Sequence, residues 1–387
     1  MPTSPSAALL AQLIGFPSVS LTPNMALIAH VQQLLAQAGI ASSIVKDASG
    51  TRANLFASTG PADVPGIVLS GHTDVVPVQG QAWSTPAFEA SQRDGRIYGR
   101  GAADMKGFVA CAVQAMLRAA QQPLVRPLQL ALSYDEEIGC VGVRSLLHVL
   151  AQRATRPMLC IVGEPTMMQL AIGHKGKAAY RAICLGQEGH SALAPSYVNA
   201  IHVAADFIQG LRTVQQQLAL TGRQDADYDI PYSTLHVGKI AGGKALNIVA
   251  NECSLDFEIR TVHGEQPEAL LQCALEQTQR IMTASFANQP QALLPDIQSV
   301  NAYPGLQMDA TAAAVQFVRD LLPPETTQLK VAFGTEGGLF QQVLHAPVIV
   351  CGPGSINVAH KPDEYVELAQ LEQCDRFLDA LIARLCA

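Results

Sequence analysis

Three short apolar runs, each ending on acids or a histidine, constrain this chain more than any other feature. Gly66 to Ser70 leads into Gly71-His72-Thr73-Asp74, and Leu128 to Ser133 into Tyr134-Asp135-Glu136-Glu137. Pro157 to Val162 leads into Gly163-Glu164-Pro165. Runs of this length and composition read as buried strands. Between the first two lies Lys106 to Ala120, a strong Ala-rich helix. Another helix, Met25 to Ala38, precedes them and closes at Gly39. Strand–helix alternation of this kind implies an α/β sheet with helices on both faces.

From about Lys177 the pattern changes. A strand at Ala178 to Leu185 and a helix near Val198 to Leu218 are followed by strands at Ser233 to Ile240 and Cys253 to Val262. A helix at Pro267 to Ala284 and a strand at Asp296 to Ala302 complete the order β-α-β-β-α-β, that of a small ferredoxin-like domain. After Tyr303-Pro304-Gly305 the first style returns, with strands at Leu329 to Phe333 and Pro347 to Cys351 and a last helix at Leu368 to Leu385. The expected organisation is one discontinuous α/β domain, 1–176 with 303–387, interrupted by an inserted domain at 177–302.

Composition narrows the partners. At 387 residues the chain is about two domains long, taking roughly 150 residues per domain. With 49% apolar residues it can bury large cores. A net charge of −7 with no Lys/Arg cluster argues against nucleic acid or an anionic membrane as partner. The apolar run Ala7 to Phe16 lacks a basic leader, contains Gln12 and precedes Pro17, so it reads as a short amphipathic helix rather than a signal peptide. The nine cysteines are scattered and never form Cys-x-x-Cys, which suits core thiols of a cytoplasmic protein.

The chemistry lies in where the polar residues fall. His72, Glu136, Glu137 and Glu164 stand just past the carboxyl ends of strands, where ligand sites of open α/β sheets form. Asp104 is expected to open the helix after Gly99-Arg100-Gly101-Ala102-Ala103, and His360 follows the strand ending at Cys351. Singly each has an ordinary reading: Asp104 an N-cap, Glu136-Glu137 a solvated turn, Glu164 a loop acid. Jointly they crowd acids on one rim, where they would repel and raise one another's pKa unless cations intervene. Two divalent metals offset the charges of Asp104, Glu137 and Glu164 and leave room for a bridging hydroxide. Imidazole mixed with carboxylate suits zinc, cobalt or manganese better than calcium or magnesium. Asp74, two residues beyond His72, suits a carboxylate that orients its imidazole.

The segments Ser70 to Pro77, Gly99 to Gly107, Asp135-Glu136-Glu137 and Gly163 to Thr166 resemble the co-catalytic metallopeptidase family M20, and the resemblance spans essentially the whole chain. It implies a zinc-peptidase-like catalytic domain, a central mixed sheet flanked by helices, with an inserted ferredoxin-like lid and dimerisation domain. It implies that Asp104 bridges two metals and is followed by a peptide bond that is often cis. His72 and Glu164 would complete one metal, and Glu137 with His360 the other. Glu136 matches the general acid/base acting on a metal-bridging water. Gly189-His190-Ser191 resembles a lid motif whose histidine reaches the partner subunit's site, which implies at least a homodimer. Asn247 and Arg260 resemble lid residues that bind substrate.

Within the family, Gly163 to Thr166, His174-Lys175-Gly176, Phe333 to Phe340 and above all Cys351 to Tyr365 point to the branch that deacetylates N²-acetyl-L-ornithine in arginine biosynthesis. Gly354 would let backbone approach a substrate carboxylate, and Glu336 is a candidate for the substrate's distal ammonium. The rivals are a succinyl-diaminopimelate desuccinylase or broader N-acyl-amino-acid hydrolase, and an inactive scaffold relative. The scaffold reading predicts loss of a ligand or of Glu136, yet the full set is present. A nucleotide-binding oxidoreductase needs a strand followed by G-x-G-x-x-G, which the chain lacks.

Overall fold

The computed structural model describes residues 4–287 and 293–387. Met1 to Thr3, the start of the polar N-terminal stretch, and 288–292 lie outside the described residues. The chain forms two compact units. One comprises Met1–His174, Leu306–Val331 and Thr335–Ala387; the other comprises Lys175–Gly305 and Ala332–Gly334.

The first unit is built on a nine-stranded mixed sheet. Its centre is parallel, in the order Leu128–Ser133, Ile67–His72, Leu159–Pro165, Val348–Gly352. The last three of these are buried along their whole length, as their near-continuous apolar sequences require. Being parallel, all four deliver their carboxyl ends to one rim. Ala53–Thr59 and Ser42–Lys46 extend one side antiparallel, and Leu170–His174 the other. These outer strands, the helix Val143–Ala151, and a three-stranded sheet of Ser91–Arg93, Arg96–Tyr98 and Tyr365–Glu367 were not anticipated from the sequence.

Glycines set how closely the first face is covered. A Cβ on Gly71 would lie 3.0 Å from Met105 Cε, and one on Gly163 only 1.9 Å from the Phe108 ring. The helix Gly107–Ala119 therefore rests directly on the sheet, with the helices Pro5–Ile14 and Leu368–Leu385 packed against it. By strand alternation Ser70 and His72 face the opposite side. Ser133 stands beside His72 in register. The helices Val143–Ala151 and Gly337–Leu344, packed on each other, contribute to that second layer.

One expected element is corrected. Asp104 does not open a regular helix: its φ/ψ of −121°/94° is extended, and the Asp104–Met105 peptide is cis. Gly101, at φ 84°, starts a wide turn closed by Lys106 N–H donating to Gly101 O at 2.8 Å, and the regular helix begins at Gly107.

The second unit carries the strands Gly176–Leu185, Thr234–Gly242, Glu252–Thr261 and Asp296–Tyr303 with the helices Ala200–Thr221 and Pro267–Ser285. Its sheet is antiparallel, and the first strand lies between the third and the fourth. This is a β-α-β-β-α-β unit of ferredoxin-like order. Alternate residues Ala178, Tyr180, Ala182 and Cys184 are buried with the two helices, and Phe257 stacks on Tyr180 at 5.3 Å. A Cβ on Gly210 would meet Thr278 Oγ1 at 2.3 Å, so the helices touch closely there. No helix among the described residues is long and apolar enough to cross a membrane.

Candidate metal centre

The parallel strands bring the predicted acids and imidazoles of the first unit together at their carboxyl rim. His72 is the last residue of its strand, and Glu164 the penultimate residue of the neighbouring one. Glu136 and Glu137 follow Leu128–Ser133 after a turn through Asp135, at φ 53°. His360 stands in the segment after Val348–Gly352 at φ 61°.

Asp104 lies between the two histidines. Its Oδ1 is 3.1 Å from His72 Nε2, and its Oδ2 is 3.3 Å from His360 Nε2. His360 Nε2 is also 3.0 Å from Glu137 Oε2, while His72 Nε2 is 3.9 Å from Glu164 Oε1. Ligand atoms of His72, Asp104 and Glu137 lie within 4.8 Å of one another, as do those of His72, Glu136 and Glu164.

The arrangement suits cations. His72 Nδ1 donates to the backbone carbonyl of Asp74 at 2.9 Å, so Nε2 is the nitrogen turned to the carboxylate oxygens: it carries a proton where cations are absent and offers a lone pair once that proton is lost. Such an all-acceptor cluster is short of positive charge, and its protonation shows it. Burial, then the charge of Asp104, pushes Glu137 up to about 7. Glu164 is driven well above the usual carboxylate range by burial and again by Asp104. Burial also raises Glu136, reinforced by the charges of Glu137 and Glu336. For Asp104, burial works upward but the hydrogen bonds of His360 and His72 outweigh it and hold the carboxyl low. His360 is raised to about 10 by its contacts with Asp104 and Glu137. Where cations are absent, protons must fill their place; imidazole nitrogen and carboxylate oxygen are the donors that zinc, cobalt or manganese take. These residues could hold metal.

Asp74 meets His72 through two groups: its carbonyl oxygen is 2.9 Å from Nδ1 and its carboxylate oxygen 3.5 Å. That carboxylate also accepts the backbone N–H groups of Glu136 at 3.0 Å and Glu137 at 3.4 Å, and the Ser20 hydroxyl at 2.8 Å. Ser20, and Cys140, expected only as a core thiol, join the site as well: the Cys140 thiol donates to Glu136 Oε1 at 3.2 Å. Neither carries a sequence signal, since both are brought in by turns.

Glu336 is 1% exposed and raised to about 7 by burial. The Ser133 and Ser70 hydroxyls work the other way, favouring its ionised form. Gly354, at φ 89°, lies against Ala103, the neighbour of Asp104, and lines a cavity of about 250 Å³ with Ser355 and Asn357. His190, Asn247 and Arg260 belong to the second unit. There the structure brings the first two together: His190 bridges to Ile248, and Ser191 N–H donates to Asn247 O at 3.1 Å. Arg260 Nε donates to Glu258 Oε1 at 2.8 Å.

Known proteins resemble this chain along most of its length. The sequence model of peptidase family M20/M25/M40 matches residues 68–384. An acetylornithine deacetylase of Myxococcus xanthus is 36% identical over 389 aligned residues, covering 98% of this chain and 97% of that one. An acetylornithine deacetylase of Proteus mirabilis is 32% identical, covering 97% and 95%. The fold matches that of an M20 family metallo-carboxypeptidase from Sulfolobus solfataricus with a TM-score of 0.80 at 17% identity, covering 99% of each chain. A dinuclear metal-binding M20 peptidase from Bacillus subtilis matches with a TM-score of 0.71 at 15% identity, covering 98% of this chain and 97% of that one. A family match across most of the length, joined to near full-length relatives, means that this chain is a hydrolase belonging to peptidase family M20/M25/M40.

Proposed function

We propose that the chain hydrolyses the amide of N²-acetyl-L-ornithine to L-ornithine and acetate, serving arginine biosynthesis. The observation that carries the chemistry is Asp104, whose two oxygens face two different histidines beside the half-buried Glu136. The names of relatives at 31–36% identity support the substrate.

His72, Asp104, Glu137, Glu164 and His360 would hold two divalent metals, zinc or else cobalt or manganese, with Asp104 between them. When bound, such metals polarise the amide carbonyl and favour ionisation of water. Glu136 takes a proton from the attacking water and returns it to the leaving amine. A carboxyl raised by burial suits both transfers, because its affinity for the proton is closer to that of the groups it serves. The Asp74 carboxylate fixes the backbone of Glu136 and Glu137, so both side chains leave the strand end at set angles.

The inserted unit acts as a lid. His190 Nδ1 accepts the Ala192 N–H at 3.1 Å, which places the ring proton on Nε2, where an exposed imidazole can donate to a developing oxyanion. Asn247 adjoins it, and Arg260 suits a two-pronged grip on the substrate carboxylate. His190 acts in the partner subunit's site, so the enzyme is a homodimer formed through this unit. Exposed apolar Ile240, Leu246 and Ile248, on and after the strand Thr234–Gly242, support that contact. The nine cysteines, all free and seven of them buried, support a cytoplasmic location.

Steady-state kinetics of the metal-loaded protein on acetylornithine, succinyl-diaminopimelate and acetylmethionine test the substrate. Preference for acetylornithine is expected. Preference for the succinylated substrate would replace that reading by a desuccinylase, and similar rates on all three by a broader N-acyl-amino-acid hydrolase.

A further inference from the structure

Glu364 is a buried acid that the chemistry above does not use. Both it and Arg100 are 1% exposed, and Arg100 Nη1 donates to Glu364 Oε2 at 2.6 Å. Gly101 N–H donates to the same oxygen at 3.1 Å. The other oxygen accepts Ala103 N–H at 2.9 Å and Asp104 N–H at 3.0 Å. A carboxylate offers about four lone-pair positions, and here four donors, all from residues 100–104, use them. The turn that carries Asp104 is thus wrapped around one side chain.

The same pair reaches the other side of the cluster. Arg100 Nη2 donates to Gln81 Oε1 at 2.6 Å, and Gln81 Nε2 donates to the backbone carbonyl of His360 at 2.8 Å. Arg100 Nη1 also lies 3.3 Å from the Lys361 carbonyl, and its guanidinium sits 5.0 Å from the centre of the Trp83 ring. Glu364 follows His360 by four residues, so one short segment supplies both a candidate ligand and this anchor.

From this geometry we infer that Glu364 is a positioning residue: with Arg100 and Gln81 it sets the places of Asp104 and His360. The inference rests on reading the cluster as a two-metal centre. The charge pairing with Arg100 does not by itself explain an acid here. Replacing a buried ion pair with apolar side chains is often neutral or stabilising. What the carboxylate does is gather backbone N–H groups that an apolar residue would leave unpaired, and fix the direction in which Asp104 leaves the turn. Arg100 cancels its charge, so the anchor adds no net negative charge beside the acids.

The test is titration of the chelator-treated 387-residue chain with Zn²⁺ by calorimetry, comparing wild type with Glu364→Gln and Gln81→Ala. Glu364→Gln keeps the shape but turns an N–H donor toward backbone donors. It is expected to weaken Zn²⁺ binding on the order of 10–100-fold, the usual cost of losing a group that orients a ligand. The rise in Tm on adding Zn²⁺ should shrink, and kcat should recover at excess metal with KM unchanged. Gln81→Ala, which leaves the buried pair intact, should weaken one of the two metals. Wild-type Zn²⁺ affinity in both variants would overturn the inference. So would equal lowering of Tm in metal-free and loaded protein, which marks a purely structural role. If Glu364→Gln does not fold, Gln81→Ala decides on the same readout. A wild-type stoichiometry below two would instead overturn the two-metal reading, since the inference is read from the ratio between variant and wild type.

Discussion

The Asp74 carboxylate accepts the backbone N–H of Glu136, with Oδ1 3.0 Å from the nitrogen. The same group receives the Glu137 N–H and the Ser20 hydroxyl, so the acid beside one imidazole anchors the acids of the next strand end. Asp74→Ala removes that anchor, and with it the carboxylate 3.5 Å from His72 Nδ1, while every candidate ligand residue is kept. Activity should fall about 10–100-fold, the range found when a group supporting metal ligands is lost. Asp74→Asn, which keeps one acceptor oxygen, should fall less. Measuring kcat and Zn²⁺ affinity together checks this. An alanine variant with wild-type values of both would remove Asp74 from the site.

Glu136 should separate binding from chemistry. Glu136→Gln keeps the volume and the contact with the Cys140 thiol but cannot take a proton. Turnover should drop by roughly 10²–10⁴-fold, the contribution of a general acid/base, while bound metal stays at the wild-type level. Loss of metal in step with activity would make Glu136 a ligand instead.

Removing metal should give the protein a stability that declines with pH. Glu137 and Glu336 each sit at about 7 in the folded chain, raised by burial from an ordinary value of 4.5. A carboxyl whose folded pKa is raised binds more protons folded than unfolded between the two values, so stability falls as pH rises across that window. Chelator-treated protein should therefore unfold at lower urea concentration at pH 7 than at pH 5. Metal should flatten the slope, because Glu137 then carries a compensated charge. Glu336→Gln should remove its own share in either form. A urea midpoint that rises between pH 5 and 7 in the metal-free protein would refute the assignment.

The parts of this fold that were legible share one trait: their local pattern and their tertiary role agree. Ile67–His72 and Leu159–Pro165 are apolar because they are buried on both faces, and their polar ends mark the rim. Ser42–Lys46 gave no such signal, since it is short, partly exposed and stabilised by pairing with Ala53–Thr59. Leu170–His174 was hidden by Met167 and Met168, which take left-handed φ of 55° and 58° and turn the chain back sharply. Asp104 was placed at a helix start because Ala102-Ala103 and the following residues favour helix. The turn it occupies instead is wrapped around Glu364, 260 residues away, which no local window contains. The Asp74 carbonyl lies closer to His72 Nδ1 than the carboxylate does, at 2.9 Å against 3.5 Å, and side-chain type alone gives no hint of that.

Gly163 links the core to the site most directly. It precedes Glu164 in a fully buried strand, and a Cβ there would fall 1.9 Å from Phe108 Cγ, far closer than two carbons can pack. Phe108 belongs to the helix that follows Asp104, so the ring is held from the same side as the Asp104 turn. Gly163→Ala cannot be relieved by rotating a surface side chain: either the helix or the strand must shift. Overpacking of this kind costs typically about 1–3 kcal/mol, and here the shift would carry Glu164 away from His72 and Asp104. The variant should lose both stability and metal affinity. Phe108→Leu alone removes ring volume and should lower stability with little effect on metal. Combined with Gly163→Ala it should restore part of both, giving a stability loss smaller than the sum of the single losses. Urea melts and Zn²⁺ titrations of the four proteins in this cycle measure that coupling. Strict additivity of the two substitutions would show that the ring does not hold the strand end in place.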